Sequence, residues 1–324
     1  MKKAIVFALL TAALLTFFAG CNTQPEEPTT VRIAALRGPT ALGLLQLMDA
    51  QEHGRTAGNY SFYLLGSPDQ IPPLLARGEV DIAVVPGNLA SILYNNPNMD
   101  IQALAIVTLG VLHIVDTTGD IHSIADLAGR TIFVSGQGAT PEFALNYVLT
   151  QNGLVPGVDV FIEFRSEHTE LAALLEAGQA EVALLPEPFV STVLNRVDSL
   201  RIALDLREEW DNVQPDYSLI MSVVIGTREF IEENPAALEM LMAEYTNSIS
   251  FVISNVPEAA ELAAQFEIIP NAAIAMQALP RTHITWITGE QMKQNLTGFL
   301  NVLYQAAPAS IGGQLPDENF FFLY

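Results

Sequence analysis

One cysteine and three lysines stand among 324 residues, and 14 basic side chains face 36 acidic ones, for a net charge of −22. Cys21 by itself can close no disulfide within the chain, so the fold must be held by its core rather than by cross-links. An excess of acid this large repels phosphate backbones and excludes nucleic acid as a partner. There is no HExxH, no P-loop and no serine in a nucleophile-elbow setting, and the five histidines, His53, His113, His122, His168 and His283, show no close metal-ligand spacing. The apparatus of catalysis is not visible; no metal and no cofactor are expected, and the chain is expected not to be an enzyme. A long spanning segment is lacking too. The apolar run 4–18 follows Lys2 and Lys3, ends on Ala19-Gly20-Cys21, and is shorter than the roughly 20 residues a spanning helix needs, so it reads as a cleaved signal over residues 1–20.

Apolar residues, by contrast, make up half of the chain and charged ones only 15%, ample for a buried core and long enough for two domains. One stretch organises the rest. Residues 71–94, IPPLLARGEVDIAVVPGNLASILY, return a hundred positions later as 171–194, LAALLEAGQAEVALLPEPFVSTVL, with Gly78 over Gly178, Pro86 over Pro186 and Ser91 over Ser191. The preceding segments match at the same offset: VRIAALRGPTALGLLQLM from Val31 lies over TIFVSGQGATPEFALNYV from Thr131. In each copy a leucine-rich run ends at glycine, and a short apolar strand (80–85, 180–185) stops at proline where a helix begins. Strands apolar on both faces belong in a parallel sheet covered by helices. A hundred-residue unit present twice makes two similar α/β lobes rather than a solenoid.

After a polar tether at 21–30, strands are predicted at 32–36, 60–65, 101–107, 131–134, 160–164, 201–204 and 218–225, with helices from Thr40, 69–77 and Thr140. Thr140-Pro141-Glu142 reads as a hydroxyl cap, a proline at the first helical position and an acid in the first turn. Residues 207–217 read as a polar, aromatic-bearing connection. From Arg228 to the end the pattern is helical, without counterpart after the first copy, so these helices return to cover the first lobe. The expected division is 31–112 plus 218–324 for lobe one and 113–217 for lobe two, joined by crossings near 107–114 and 217–225. Two crossings form a hinge, and a hinged cleft traps ligand.

These segments resemble a known family. The opening RIAALRGPTALGLL, the segments DIAVVPGN and EVALLPEPFVS, and REFIEENPAALEMLMAEY are similar to the substrate-binding proteins of ABC importers, over about 31–300. The branch resembled is that of nitrate, taurine and aliphatic sulfonates, which includes binders of thiamine-precursor pyrimidines. The resemblance implies a two-lobed α/β fold of the type II periplasmic-binding-protein class, a small solute closed between the lobes, and delivery to an ABC permease with its ATPase. The junction at Cys21 resembles a bacterial lipobox, with Phe18 where an aliphatic residue is usual. It implies lipid on Cys21, an extracytoplasmic protein tied to the cell membrane, and a net charge of −24 once Lys2 and Lys3 leave. A monomer is expected.

In open parallel sheets ligands sit beyond the carboxyl ends of the strands, at helix N-termini. That rule selects Arg37, Gly38 and Thr40, Ser67 and Asn88 in lobe one, and Ser135, Gln137, Gly138, Ala139, Thr140, Glu187 and Phe189 in lobe two; Thr108 and, as an aromatic near the cleft or the second crossing, Trp210 are further candidates. The family places its ligand contacts in the same loops. Ser135-Gly136-Gln137-Gly138 begins like a dinucleotide fingerprint, but Pro141 stands where the third glycine belongs, which leaves a cradle for an anion or polar group. Arg37 can hold a carboxylate or sulfonate bidentately, whereas Glu187 would favour an amine or ring N–H. Their opposite charges leave an organic anion, a zwitterion and a heterocycle open. Phe189, Trp210 and Tyr217 are candidates for stacking on a planar ligand. Two other functions fit the same chain: an enzyme on this fold, as in relatives of thiamine-pyrimidine or menaquinone synthesis, for which Lys293 is the one mature lysine, and a ligand sensor for a membrane kinase.

Overall fold

The computed structural model describes residues 29–323. Cys21, on which the lipidation expectation falls, and the signal segment lie outside the described residues. Among the described residues no helix is long and apolar enough to cross a membrane.

Two sheets carry the chain. The first is built from β1 (Thr30–Leu36), β2 (Asn59–Leu65), β3 (Ile82–Pro86), β4 (Ile101–Leu109), β10 (Ile220–Thr227) and β11 (Ile284–Ile287), in the order β11-β4-β10-β3-β1-β2. The second holds β5 (Leu112–Asp116), β6 (Thr131–Ser135), β7 (Phe161–Arg165), β8 (Val182–Pro186) and β9 (Arg201–Asp205), in the order β7-β6-β8-β5-β9. We call the units around them lobe one and lobe two. The helices are α1 (Pro39–Leu42), α2 (Leu45–Glu52), α3 (Ile71–Ala76), α4 (Gly87–Tyr94), α5 (Thr140–Gln151), α6 (His168–Glu176), α7 (Phe189–Leu194), α8 (Leu206–Val213), α9 (Arg228–Glu233), α10 (Pro235–Ser254), α11 (Val256–Gln265), α12 (Ala272–Ala278) and α13 (Gly289–Ala306).

The repeat is a repeat of wiring. The series β10-β3-β1-β2 and β5-β8-β6-β7 have the same order, three parallel strands flanked by one antiparallel strand. Pro86 and Pro186 end their strands opposite Ser222 and Leu112, the latter the first residue of β5. α3 and α6 finish alike. Gly78 and Gly178, at φ +62° and +67°, donate to Leu75 and Leu175, and the next residues, Glu79 and Gln179, donate to Leu74 and Leu174. That is a Schellman stop, and its left-handed residue favours glycine in both copies. The even hundred-residue offset is corrected by one in the first strand: Ile33 faces Ile82 but Ile132 faces Val182, and the longer loop 136–139 takes up the difference.

Four expectations change in the structure. The sheets are mixed rather than parallel, because each lobe borrows an antiparallel strand at its crossing. The first crossing, 110–111, falls within the expected stretch, but the second is 214–219, since 220–227 is already a central strand of lobe one. Part of the connection 207–217 is helix α8, whose N-cap Asp205 accepts from Arg207. In the C-terminal region read as helical, Ile284–Ile287 pairs antiparallel with β4; four residues are too few to show a period against helical flanks. Helices α10 and α2 pack together, and Ser248 links them by donating to Gly43 O at 2.7 Å while accepting from Leu47 N at 3.1 Å.

Candidate functional site

A cleft of about 1030 Å³ opens between the lobes. Its wall includes the first turns of five helices: Pro39 and Thr40 of α1, Asn88 of α4, Thr140 and Pro141 of α5, His168 and Thr169 of α6, and Phe189 of α7. Helix N-termini concentrate N–H groups and partial positive charge, which favours an anion. Apolar side chains fill the space between, among them Leu36, Leu89, Ile92, Val111 and Met221. The interior is therefore weakly polar, and the charged side chains stand mainly at its rim.

Of the residues selected from sequence, Arg37, Gly38, Thr40, Ser67, Asn88, Ala139, Thr140, Glu187 and Phe189 line this cleft. Their partners differ in what they leave for a ligand. Thr40 is tied back to its strand, accepting from Leu36 N at 3.0 Å and donating to Leu36 O at 2.7 Å. Ser67 closes a capping box with Gln70 in the turn Pro68–Gln70. Thr140 is the first helical residue rather than the cap, which is Ala139, and its hydroxyl reaches across the cleft to Asn88 Oδ1 at 3.4 Å. Phe189 packs its ring on that of His168, with centroids 5.0 Å apart. Arg37 Nη1 donates to the carbonyls of Phe266 and Glu267 at 3.2 and 3.4 Å. Among the described residues no carboxylate pairs with it. The other cation in the wall, Arg196, is paired with Glu176 at 2.8 Å.

Glu187 is fully buried, and its carboxylate is already occupied. Oε1 lies 2.5 Å from Arg281 Nε, and Oε2 accepts from Ser191 N at 3.1 Å. Each oxygen thus accepts one hydrogen bond already, and Arg281 balances the charge.

Five candidates lie outside the cleft wall. Thr108 is buried in β4 with its hydroxyl directed to Pro39 O at 3.4 Å. Ser135 is buried and hydrogen-bonded to His168 Nδ1. Gln137 is exposed beyond the wall. Gly138 N–H, expected in an anion cradle, donates to Glu142 Oε2 at 2.6 Å. Trp210 is fully buried between Tyr147 and Phe299, with Nε1 donating to Tyr217 O at 2.7 Å. Tyr217 lies over Gly298, where a Cβ would come within 2.1 Å of the ring. These aromatics pack at the second crossing.

Sequence reasoning also missed part of the wall. His168 begins α6 after a strand that was placed correctly, and only its lack of a motif hid it. Residues 267–270 come from the turn between α11 and α12 and carry no strand-end signal; lobe packing alone brings them to the cleft. Among the described residues no group of three or more His, Cys, Asp or Glu is placed to hold a metal ion.

Burial pushes His168 and His113 below the ordinary histidine range, against the opposing charges of Glu167 for the first and of Asp205 and Glu187 for the second. Below about pH 6.5 the unfolded chain binds protons at both sites that the folded chain refuses. Stability is thus expected to fall as pH drops from about 6.5, by up to roughly 1.4 kcal/mol per pH unit for each histidine. Urea unfolding of His168→Gln between pH 7 and 5 should give a shallower decline than the parent chain; an equal slope would refute a buried neutral His168.

Comparison with known proteins agrees with this geometry. Residues 61–209 match the family described as ABC transporter, phosphonate, periplasmic substrate-binding protein. A solved ABC transporter protein from Parabacteroides distasonis is 25% identical, with a TM-score of 0.78 over 90% of this chain and 98% of that one. The chain is thus similar to ABC transporter substrate-binding proteins and shares their two-lobed fold. The same fold is seen in the aliphatic sulphonate binding protein SsuA of Escherichia coli, at 15% identity and a TM-score of 0.70 over 90% of this chain and 93% of that one. It is seen again in the alkanesulfonate-binding protein SsuA of Xanthomonas axonopodis pv. citri bound to MOPS, at 16% identity and a TM-score of 0.65 over 90% and 96%. No curated protein matches by sequence.

Proposed function

We propose that this protein is the solute-binding component of an ABC importer, anchored by lipid on Cys21 and acting as a monomer without catalysis of its own, and that it captures a small organic anion between its lobes. The acid group lies at the helix N-termini near Asn88 and Thr140, within reach of Arg37, and the apolar body lies against Phe189 and Met221. One observation carries this reading. Arg281 already neutralises Glu187, while Arg37 bonds only to carbonyl oxygens. Of the two charges that left the solute open, the negative one is spoken for. Sulfonates and phosphonates suit the site because their oxygens can accept several N–H and O–H donors at once. The names of the matched family and of the sulfonate-binding neighbours support the same class.

A thermal-shift screen of the purified protein against alkanesulfonates, alkylphosphonates, taurine, nitrate and aminopyrimidines tests it. A ligand at a hundred times its Kd stabilises the folded state by about 2.7 kcal/mol, easily seen as a shift in Tm. Hits are expected among sulfonates and phosphonates. Arg37→Ala should weaken the best of them about tenfold, less than for a buried cation because Arg37 is exposed at the rim. Hits confined to aminopyrimidines, or no loss in Arg37→Ala, would overturn the anion assignment. Lobe closure on the ligand should shrink the scattering radius, since a ligand bridging both lobes favours the closed state.

A further inference from the structure

The lobes meet at a third place besides the two crossings. Helix α12 and the turn Leu279–Arg281, both of lobe one, lie against α7 and the loop before it in lobe two. Gln277 and Asn195 exchange amide hydrogen bonds there at 3.0 and 3.3 Å. Beside them Arg281 spans the junction, with Nε 2.5 Å from Glu187 Oε1 and Nη2 2.7 Å from Ser191 Oγ. Ser191 N completes the set on Glu187 Oε2. The Glu187 side chain is fully buried, whereas the Arg281 side chain keeps 31% of its surface exposed.

This pair is hard to explain as a device for stability. A buried ion pair repays its desolvation poorly, and apolar side chains of like volume often hold an interface as well. What it does accomplish is electrostatic. Glu187 lines the cleft, and in a weakly polar wall an unpaired carboxylate would act on a ligand over several ångströms. His113 nearby cannot stand in for Arg281, since burial keeps it neutral and neither ring nitrogen has a partner. Asp205, 3.9 Å from both His113 and His283, adds negative charge on the same side.

We propose that Arg281 determines the charge specificity of the cleft: reaching over from lobe one, it cancels Glu187 of lobe two and so keeps the site open to an anion. The arrangement makes the cleft's charge a property of lobe contact, because the cation and the carboxylate belong to different lobes. The proposal rests on the anion reading for its biological meaning, but the charge itself can be measured without knowing the solute.

Cys21→Ser removes the single cysteine of the full chain, so Thr192→Cys then places one thiol in the cleft wall, on α7 five residues past Glu187. Its rates with an anionic reagent, sulfonatoethyl methanethiosulfonate, and with the cationic trimethylammonioethyl analogue report the local potential as a ratio. Arg281→Met should lower the anion-to-cation ratio about tenfold, as one unscreened charge within ~10 Å would. Adding Glu187→Gln should bring it back to within about twofold of the parent. A general loosening of the fold would change both rates together and leave the ratio alone. An unchanged ratio in Arg281→Met, or a lowered ratio that Glu187→Gln fails to restore, overturns the proposal. Should the ligand screen find no anion while the ratio behaves as expected, the anion reading fails and Arg281's control of the cleft charge stands.

Discussion

Trp210→Ala is expected to lower the unfolding free energy by about 3–5 kcal/mol, the usual cost of emptying a buried tryptophan site. The side chain is fully buried where α8 leads into the second crossing, packed on Tyr147 of lobe two and Phe299 of lobe one. Its N–H holds Tyr217 O at 2.7 Å and so fixes the strand that passes between lobes. Guanidinium unfolding followed by circular dichroism would read the loss. Trp210→Phe should fall between the two, keeping most of the ring volume but leaving the Tyr217 carbonyl without its donor. The same variants decide what the residue is for. If it contacted ligand, affinity would fall while stability held; the packing described here requires the reverse, with ligand affinity of the folded Trp210→Phe protein within about twofold of the parent.

Asp116→Ala is expected to cost a similar amount, about 3–5 kcal/mol, because it leaves Arg201 without its buried partner. Asp116 ends β5 with no exposed surface. Its oxygens accept from Thr118 N and Oγ1, both at 2.7 Å, from Gly119 N at 3.0 Å, from Ile121 N at 3.3 Å and from Arg201 Nη2 at 2.8 Å. Burial works to raise its pKa, but the hydrogen bonds from Thr118 and Ile121, with the charge of Arg201, outweigh it and hold the carboxyl below the ordinary range. A depressed carboxyl contributes stability that is present above the unfolded value near 3.9 and is lost as pH falls through the folded one. The acid limb of the parent's stability curve should therefore steepen below about pH 4, and Asp116→Ala should lack that part of the decline. Equal acid limbs in the two proteins would mean that Asp116 is not ionised in the folded state.

Much of the lobes was legible because their rules are local. Gly78 and Gly178 mark left-handed stops, Pro86 and Pro186 mark strand ends, and the apolar runs between them are too short for anything but strands. Glycine, proline and periodicity act over a few residues, so a hundred-residue echo of them exposes the repeat. Strand direction in the sheet was not legible in the same way. β5 and β10 are as apolar as their parallel neighbours, and whether such a strand runs up or down depends on where the chain crosses.

The cleft was legible only as an address. Rules about strand ends found nine wall residues, but they equally selected Ser135, and Thr108 and Trp210 were candidates too; the burial of all three becomes visible only once helices and sheets are stacked. For Glu187 sequence supplied the residue and its loop, and the tertiary structure supplied Arg281, 94 positions away. A carboxylate near a cleft reads as an anchor for amines until the cation that cancels it is found. By itself the sequence determined the two α/β lobes, their repeat, the acidic composition and most of the loops that line the cleft, because composition, turn chemistry and period are properties of short stretches. Only the tertiary structure decided the antiparallel strands, the cleft wall contributed by residues 267–270 and the pairing of Glu187 with Arg281. Those depend on contacts between segments far apart in the chain, and a Coulomb interaction is set by distance in space rather than by separation along the sequence.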